Sequence, residues 1–366
     1  MNSNLERQAQ REAFLQASGW GNAEITPFPG DASTRSYFRL QREGQPAILM
    51  DAPAGAEAPA CPPDATPDER KGLGYNAVAR LAGPNTAAFA GLANALTARG
   101  FSAPRIYEAD LPAGFLILED LGDELFAHVA SQMAHEGTIY AAAVDTLAAL
   151  YRSSFEAEMT AFGASWTVQA YDETALLAET HLFLDWYAGA RGREPDEAAR
   201  QSWDEAWRSV LPWLDQHASG LVLRDYHAEN LIWLPKRTAE ASVGLLDFQD
   251  ALFGHPAYDL VSLIEDARRD VPRHLAEPLS DRFFKAAGLS NREAFDAASA
   301  VIAAQRNAKI LGIFVRLAKR DGKPKYLDLL PRVAAHFVRD ISHPALREVR
   351  AWVSAHSPEV FAEADR

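Results

Sequence analysis

Hydrophobic positions in the first third of the chain are grouped into short β-type runs bounded by polar turn residues. Residues 36–41 and 47–52 are two such runs, and the turn-like segment 42–46 between them predicts a hairpin. Residues 105–122 predict two further strands around a Pro–Ala–Gly turn. A polar, glycine-containing loop at 30–35 precedes the first hairpin. These runs predict a small β-rich region.

Other segments repeat their hydrophobic positions at the three- and four-residue spacing of helices. Residues 3–18 show this pattern and begin with a Ser3–Glu6 capping box. Residues 85–99 show it again. After residue 122 helical patterns dominate, at 132–155, 172–190, 196–216, 257–267, 274–287, 292–320 and 326–340. Three later segments predict strands, at 221–226, 230–235 and 243–248. A larger helical region therefore follows the β-rich one, and a nucleotide fits the expected crevice between two such regions.

Residues 53–70 are rich in Ala, Pro and acidic residues and show no periodicity, which predicts a flexible surface loop. Cys61 lies in this stretch, so we interpret it as an exposed loop residue without a catalytic role. It is the single cysteine of the chain. An intrachain disulfide is therefore excluded, and a reducing compartment is the simplest interpretation.

Composition and charge narrow the range of functions. The 366 residues carry a formal net charge of −14, so the surface should repel the phosphate backbone of nucleic acids. No segment approaches the roughly 18 uncharged apolar residues of a membrane helix, and the N-terminus lacks the pattern of a signal peptide. We expect a cytoplasmic monomer that binds a small molecule and neither nucleic acid nor membrane. Zinc spacings, a hydrolase elbow and a dinucleotide-binding motif are also missing from the sequence.

Three polar residues at the ends of the later apolar strands carry the candidate chemistry. Asp225 and Asn230 are five positions apart, and Asp247 follows the next apolar strand. Phosphoryl transfer needs a carboxylate that orients the attacking hydroxyl and oxygen ligands that hold Mg²⁺ against the phosphates. Asp225 suits the first role, and Asn230 and Asp247 suit the second. The alternative is that these acids cap helices and that the asparagine is a turn residue.

The same motifs point to a family. D-x-H-x-x-N at 225–230, D-F-x-D at 247–250 and P-A-Y-D-L at 256–260 resemble the catalytic and metal-binding loops of aminoglycoside phosphotransferases, choline kinases and related kinases. The resemblance implies an α+β, bilobal protein-kinase-like fold with a small β-rich N-lobe and a large helical C-lobe. It also implies ATP and Mg²⁺ as cofactors and a small-molecule alcohol as acceptor.

Further segments resemble one branch of this superfamily, the anomeric N-acetylmuramate/N-acetylglucosamine kinases of peptidoglycan recycling. They are GDASTRSYFRL at 30–40, LLDFQDA at 245–251, LVSLIEDARRDVP at 260–272, and the helical set Glu179, Leu182, Phe183 and Trp186. This resemblance implies phosphorylation of the anomeric hydroxyl of an amino sugar. An aminoglycoside, choline or ethanolamine acceptor is the alternative, and a non-catalytic pseudokinase or binding module is a second one.

The resemblance also places the nucleotide. It implies an N-terminal lobe at 1–118, a hinge at 119–122 and a C-terminal lobe at 123–366. Ser33, Thr34 and Arg35 would form the phosphate loop, and the backbone groups of Glu119 and Leu121 would pair with the adenine edge.

One expected residue is missing from the pattern. Related kinases carry a phosphate-binding lysine at the end of the strand that corresponds to residues 47–52. In this chain Met50 occupies that position. The usual glutamate partner is missing too, because residues 85–99 contain no acid. We hypothesise that Arg35 or Arg39 replaces the lysine.

Several residues are candidates for the acceptor site: Arg224, His227, Gln249, Asp250, Glu179 and Trp186. Arg224 either pairs with a phosphate or the substrate, or ties the catalytic loop to an acid. His227 either bonds the γ-phosphate or braces the loop, and Asp250 either bonds a sugar hydroxyl or caps the next helix. Glu179 and Trp186, seven residues apart, would share a helix face suited to a sugar ring.

Arg306 and Asn307 lie in the helical segment 292–320, whose mixed charges are most simply explained as a solvated face. Both side chains are also candidates to reach a substrate carboxylate.

Overall fold

The computed structural model describes residues 2–28, 35–55, 58–132 and 136–366. Ser33 and Thr34 of the expected phosphate loop therefore lie outside the described residues. The strands are β1 (Glu24–Pro27), β2 (Ser36–Arg42), β3 (Gln45–Asp51), β4 (Ile106–Asp110), β5 (Phe115–Glu119), β6 (Glu158–Ala161), β7 (Ala164–Thr167), β8 (Gly220–Val222), β9 (Leu231–Trp233), β10 (Val243–Leu245) and β11 (Leu252–Gly254).

Helices make up most of the remaining described residues. The α-helices are α1 (Asn2–Ala17), α2 (Pro67–Leu73), α3 (Tyr75–Val78), α4 (Thr86–Thr97), α5 (Phe126–Gln132), α6 (Glu136–Arg152), α7 (Glu173–Leu182), α8 (Glu197–Arg208), α9 (Ala257–Ile264), α10 (Arg273–Ala286), α11 (Arg292–Lys319), α12 (Leu330–Asp340), α13 (Arg347–His356) and α14 (Glu359–Ala364). Short 3₁₀ helices are at Gly189–Arg191, Leu211–Gln216, Ala228–Asn230, Ala239–Ser242, Pro324–Leu329 and Pro344–Leu346. A π-helix, Phe183–Ala188, follows α7 directly.

The chain divides into two compact units, and the first contains residues 1–129, 155–169 and 230–250. Its main element is an antiparallel sheet with the strand order β1-β2-β3-β5-β4. Both hairpins predicted from the sequence are confirmed, since β2 pairs with β3 and β4 pairs with β5. Leu15 of α1 and the following Trp20 join Leu49 and Phe115 in one apolar cluster, which explains why α1 covers this sheet.

The helix predicted at 85–99 is also confirmed in this unit as α4. The Asn85 side chain accepts the backbone N–H of Ala87 at 2.9 Å and so satisfies one of the free donors at the start of the helix. Gly91 allows the helix to lie close to β6, because a Cβ at this position would be 3.1 Å from the Met159 carbonyl oxygen.

The second unit contains residues 130–154, 170–229 and 251–366 and is helical. Helix α11 is its central element, and α7, α9 and α12 pack against it. Large aromatic residues fill the core, with the fully buried Phe183 ring stacked on Trp203 at a centroid distance of 5.4 Å. The indole N–H of Trp203 donates to the Thr180 hydroxyl at 2.9 Å, so its single polar group is satisfied.

Two interpretations of connecting segments were wrong. Residues 53–70 are not all loop, because α2 starts at Pro67 behind a capping box made by Thr66 and Glu69. Cys61 is only 4% exposed and not a surface residue. The proline-rich composition that suggested an exposed loop says nothing about what packs over it.

The helical pattern at 172–190 is present but changes its geometry. It runs as α7 to Leu182 and then continues as the π-helix. Within the ranges the structure describes, no helix is both long and apolar enough to cross a bilayer.

Gly312 of α11 lets two helices approach closely. A Cβ at this position would lie 2.1 Å from the carbonyl oxygen of Leu182, at the end of α7. Backbone cannot yield as a flexible side chain can. The close approach brings α7 and α11 together where Glu179 and Lys309 meet, at an N–O distance of 3.2 Å.

We therefore expect Gly312→Ala to lower the free energy of unfolding by about 1–3 kcal/mol, although alanine gains up to about 1 kcal/mol in helix propensity. Gly137→Ala in α6 is the matched control, because its added Cβ meets only a leucine methyl at an ordinary 3.6 Å. Urea denaturation of both variants measures the difference. Equal stabilities for the two variants would show that α7 and α11 do not need the glycine.

Candidate active site

The loop that carries Asp225 follows β8 in the helical unit and is held by its backbone. The buried carboxylate of Asp259, in α9, accepts the N–H of Leu223 at 2.7 Å and the N–H of Arg224 at 2.9 Å. Burial raises the pKa of Asp259 to about 7 despite these two hydrogen bonds. Asp225 is half-buried at the point where this anchored segment ends.

Arg224 has a left-handed backbone conformation, with φ of 72°. This conformation is strained for a residue with a Cβ. The Arg224 guanidinium donates to the Glu179 carboxylate, and the two side chains are 3% and 1% exposed. Of the alternatives weighed for Arg224, the structure shows the one in which it ties the loop to an acid, and that acid is Glu179.

Glu179 is the centre of a buried polar cluster. Besides Arg224, its carboxylate accepts hydrogen bonds from Gln305 at 2.9 Å, from Lys309 at 3.2 Å and from the Tyr171 hydroxyl. Burial opposes its ionisation, but Lys309 and Arg224 outweigh burial and lower the pKa of Glu179 to about 2. Glu179 is thus an anion held by protein groups, and this geometry suits bracing of Arg224 better than direct contact with a sugar.

Glu179 and Trp186 do not lie in one continuous α-helix, which the expected shared face requires. The seven-residue rule holds within an α-helix, and the chain changes from α7 to the π-helix between the two residues. Trp186 is half-buried and packs against the aromatic core of the helical unit. Its surroundings are those of a core residue.

His227 is 6% exposed. Burial is the main cause that lowers the pKa of His227 to about 4, although Asp266 opposes the shift. The ring is therefore neutral at physiological pH. The neighbouring Tyr226 hydroxyl donates to the Ala143 carbonyl at 2.9 Å, so the loop is anchored to α6 as well. These surroundings fit the bracing role considered for His227.

The β-rich unit carries the two candidate metal ligands at one end of a hairpin. In the β9–β10 pair, Leu231 lies opposite Leu245, and the N–H of Leu246 donates to the Asn230 carbonyl at 3.0 Å. Asn230 and Asp247 therefore lie at the same end of the hairpin. Asp247 has φ of 56°, and its side chain is 47% exposed. An amide oxygen and an accessible carboxylate are the donors that Mg²⁺ prefers, so the pair fits a magnesium site.

The residues that follow Asp247 form hydrogen bonds within the β-rich unit. Gln249 donates to Oδ1 of Asp247 at 2.8 Å, and Asp250 accepts the backbone N–H of Ala82 at 2.6 Å. The idea that Asp250 caps the next helix was wrong, because strand β11 comes next and α9 begins only at Ala257.

The two arginines proposed to replace the missing lysine differ in their surroundings. Arg39 forms ion pairs with Asp120 at 2.8 Å and with Asp123 at 2.6 Å. Arg35 lies with Nη1 3.8 Å from Oδ1 of Asp247. Met50 is fully buried in β3. Arg35 is thus the arginine that lies beside a candidate metal ligand.

The segment predicted as a hinge follows β5. The N–H of Glu119 donates to the Arg105 carbonyl at 2.7 Å, so a contact from Glu119 to adenine has to use its carbonyl group. The Glu119 side chain is paired with Arg237 at 2.6 Å, and Leu121 is buried.

Comparison with known proteins decides the family. The model of the phosphotransferase enzyme family matches residues 24–297. The chain belongs to this family of phosphotransferases. The family predicted from the D-x-H-x-x-N and D-F-x-D motifs is confirmed, and the chain is an ATP-dependent phosphotransferase.

Two relatives and one solved structure give the scale of the similarity. An N-acetylmuramate/N-acetylglucosamine kinase of Caulobacter vibrioides is 42% identical over 358 residues, which are 98% of this chain and 99% of that protein. A kinase of the same name from Pseudomonas aeruginosa is 32% identical over 88% of this phosphotransferase and 85% of its own length. The choline kinase of Streptococcus pneumoniae superposes with a TM-score of 0.55 at 12% identity, covering 90% of this chain and 99% of that chain. The predicted α+β, protein-kinase-like fold class is thereby confirmed.

Two residues of this phosphotransferase were not assigned a role from the sequence. Asp259 lies in the P-A-Y-D-L motif, so the sequence pointed to this segment but not to the role of Asp259 in holding the backbone that precedes Asp225. No sequence pattern indicated a role for Lys309, because a single lysine in a long helix with mixed charges resembles a solvent-exposed residue.

Glu179→Gln should lower the free energy of unfolding at pH 7 by about 3–5 kcal/mol, because Arg224 and Lys309 lose their shared counter-ion. The control is Glu173→Gln on the same helix, whose side chain is 56% exposed and pairs with Arg208. An exposed pair contributes about 1 kcal/mol or less.

The pH dependence of this loss follows from the lowered pKa. The folded-state pKa of about 2 lies below the roughly 4.3 of an unfolded glutamate. The contribution of Glu179 is therefore complete above that unfolded value and is lost as the pH falls towards about 2. Urea denaturation from pH 7 downwards should show the difference between wild type and variant shrinking. A difference that grows on acidification would contradict the ion-pair assignment.

Proposed function

We propose that this phosphotransferase transfers the γ-phosphoryl group of ATP to the anomeric hydroxyl of N-acetylmuramate or N-acetylglucosamine, giving the sugar 1-phosphate for peptidoglycan recycling. The observation that carries the proposal is the 42% identity to the Caulobacter kinase named for these two sugars, over 98% of this chain. Because ATP is available in the cytoplasm, we propose that the reaction takes place there.

Asp225 is the proposed catalytic carboxylate. It orients the anomeric hydroxyl and accepts its proton while the hydroxyl oxygen bonds to the γ-phosphorus. The bond from that phosphorus to the β,γ-bridging oxygen breaks, and ADP leaves. The anchored backbone of Leu223 and Arg224 fits this role, because a fixed carboxylate avoids the entropic cost of finding its position during the reaction.

Asn230 and Asp247 are the proposed ligands of Mg²⁺. The ion would neutralise charge on the phosphate oxygens of ATP. Asp225 and Asn230 are five positions apart, so chain length alone keeps their Cα atoms within about 18 Å of each other. Their position at one end of the β9–β10 hairpin supports a shared role for Asn230 and Asp247.

The remaining assignments complete the proposed ATP and acceptor sites. Glu119 and Leu121 would bind adenine through backbone groups at a hinge between the N-terminal and C-terminal lobes, with Ser33 and Thr34 near the phosphates. Gln249 and Asp250 would bind acceptor hydroxyl or acetamide groups. Arg224, His227 and Glu179 would act by holding the catalytic loop in place.

Arg35 is the residue that we propose in place of the missing lysine. Its Nη1 lies 3.8 Å from Asp247, where the phosphates would meet the metal. Arg39 is already neutralised by Asp120 and Asp123.

The acceptor is tested with purified protein, ATP and Mg²⁺, by ADP release and by phosphorus NMR of the product. We expect turnover with N-acetylmuramate or N-acetylglucosamine and an ester at the anomeric oxygen. Asp225→Asn should lower kcat by about 10³-fold or more while ATP still binds, because a general base alone contributes about 10²–10⁴-fold. Turnover only with choline, ethanolamine or an aminoglycoside would overturn the proposed acceptor, and normal turnover by the variant would overturn the role of Asp225.

Replacement of the two arginines separates their roles. Arg35→Ala should raise KM for ATP and lower kcat/KM by roughly tenfold or more, because a charge-assisted bond to phosphate is lost. Arg39→Ala should change these constants less, because the charge of Arg39 is already neutralised by Asp120 and Asp123. If both variants keep the wild-type kcat and KM for ATP, neither arginine replaces the lysine.

A further inference from the structure

Among the charged side chains of the Glu179 cluster, Lys309 is the one that lies partly open to solvent. Its side chain is 13% exposed, whereas Glu179 is 1% exposed and Arg224 is 3% exposed. Lys309 and Arg224, which directly precedes the proposed catalytic Asp225, both donate to Oε1 of Glu179. The role of the lysine in the cluster alone does not require this access.

The ammonium group has a hydrogen-bond donor to spare. It has three N–H groups. One donates to Oε1 of Glu179 at 3.2 Å, and another donates to the Tyr258 hydroxyl at 2.8 Å. Among the described residues no further acceptor is bonded to Lys309, so its third N–H remains available to a partner that comes from solvent.

Lys309 also keeps its positive charge close to the proposed reaction centre. Burial disfavours the ammonium form, but Glu179 and Tyr258 outweigh it and raise the pKa of Lys309, and Asp225 acts in the same direction. A permanent cation with a spare donor therefore lies within electrostatic range of the carboxylate that would orient the acceptor.

The two polar side chains of the same helix that the sequence suggested for this role have different surroundings. Arg306 is 5% exposed and donates to the Ser262 hydroxyl at 2.9 Å. Asn307 is fully buried and donates to Asp340 at 2.9 Å. The sequence had suggested both for a substrate carboxylate. The structure instead places them in the packed interior and leaves Lys309, less than one turn further along, with access.

The two sugars of the proposed function differ in one charged group. N-acetylmuramate carries a carboxylate on a lactyl ether, where N-acetylglucosamine has a hydroxyl. We propose that Lys309 binds the carboxylate of N-acetylmuramate and thereby sets a preference for anionic over neutral acceptors. This inference rests on the proposed amino-sugar kinase function and extends it to acceptor specificity.

Three acceptors test the proposal with the full-length enzyme: N-acetylmuramate, its neutral methyl ester and N-acetylglucosamine. Wild type should show a higher kcat/KM for the acid than for the ester. Lys309→Gln should lower kcat/KM for the acid by roughly tenfold or more, mainly through KM, because a charge-assisted hydrogen bond is lost. The ester and N-acetylglucosamine should change by less than about threefold, as expected when no charged contact is involved.

Two further variants control for charge and for folding. Lys319→Gln removes an exposed lysine near the end of the same helix and should leave all three acceptors unchanged. Lys309→Arg keeps the charge and should retain the preference for the acid. Thermal unfolding of each variant shows whether the cluster survives the change.

The outcomes distinguish a wrong role for Lys309 from a wrong proposed function. An equal loss with all three acceptors in a folded Lys309→Gln enzyme would overturn the inference alone, because Lys309 would then serve catalysis in general. Equal use of acid and ester by wild type would also overturn it, without any variant. No turnover with any of the three acceptors would overturn the proposed function and this inference with it.

Discussion

The buried ion pair between Glu179 and Arg224 is the interaction on which the loop that carries Asp225 depends. Arg224 occupies a left-handed backbone conformation that costs energy for any residue with a Cβ. Its side chain is held by Glu179 and its backbone by Asp259, so the strained position is fixed from both sides. Because Asp225 is the next residue, this anchoring also restricts the position of its backbone.

Burial of such a pair costs desolvation free energy, and hydrogen bonds from neighbouring groups offset part of that cost. Two cations, an amide and a tyrosine hydroxyl surround the Glu179 carboxylate, which leaves few lone pairs unsatisfied. A hydrophobic replacement of similar volume often gives equal or greater stability. The cluster is therefore better explained as fixing the geometry beside Asp225, the proposed catalytic residue, than as a source of stability.

The candidate metal ligands depend on a different constraint, the register of the β9–β10 hairpin. Pairing of Leu231 with Leu245 places Asn230 and Asp247 at one end of two short apolar strands. A one-residue slip would turn the side chains to the opposite face. The sheet-forming residues around these two positions thus matter as much for the site as the two polar residues do.

The sequence by itself determined the family, the two hairpins of the sheet, α4 and the order of the Asp225, Asn230 and Asp247 motifs. These features depend on local periodicity and on residue spacing, which a sequence displays directly. Only the tertiary structure decided that Glu179 and Lys309 meet, that Arg306 and Cys61 are buried, and that Arg39 is bound to two acids. Those facts arise from packing between segments far apart in the chain, such as α7 against α11 at Gly312, and local pattern carries no information about which segments touch.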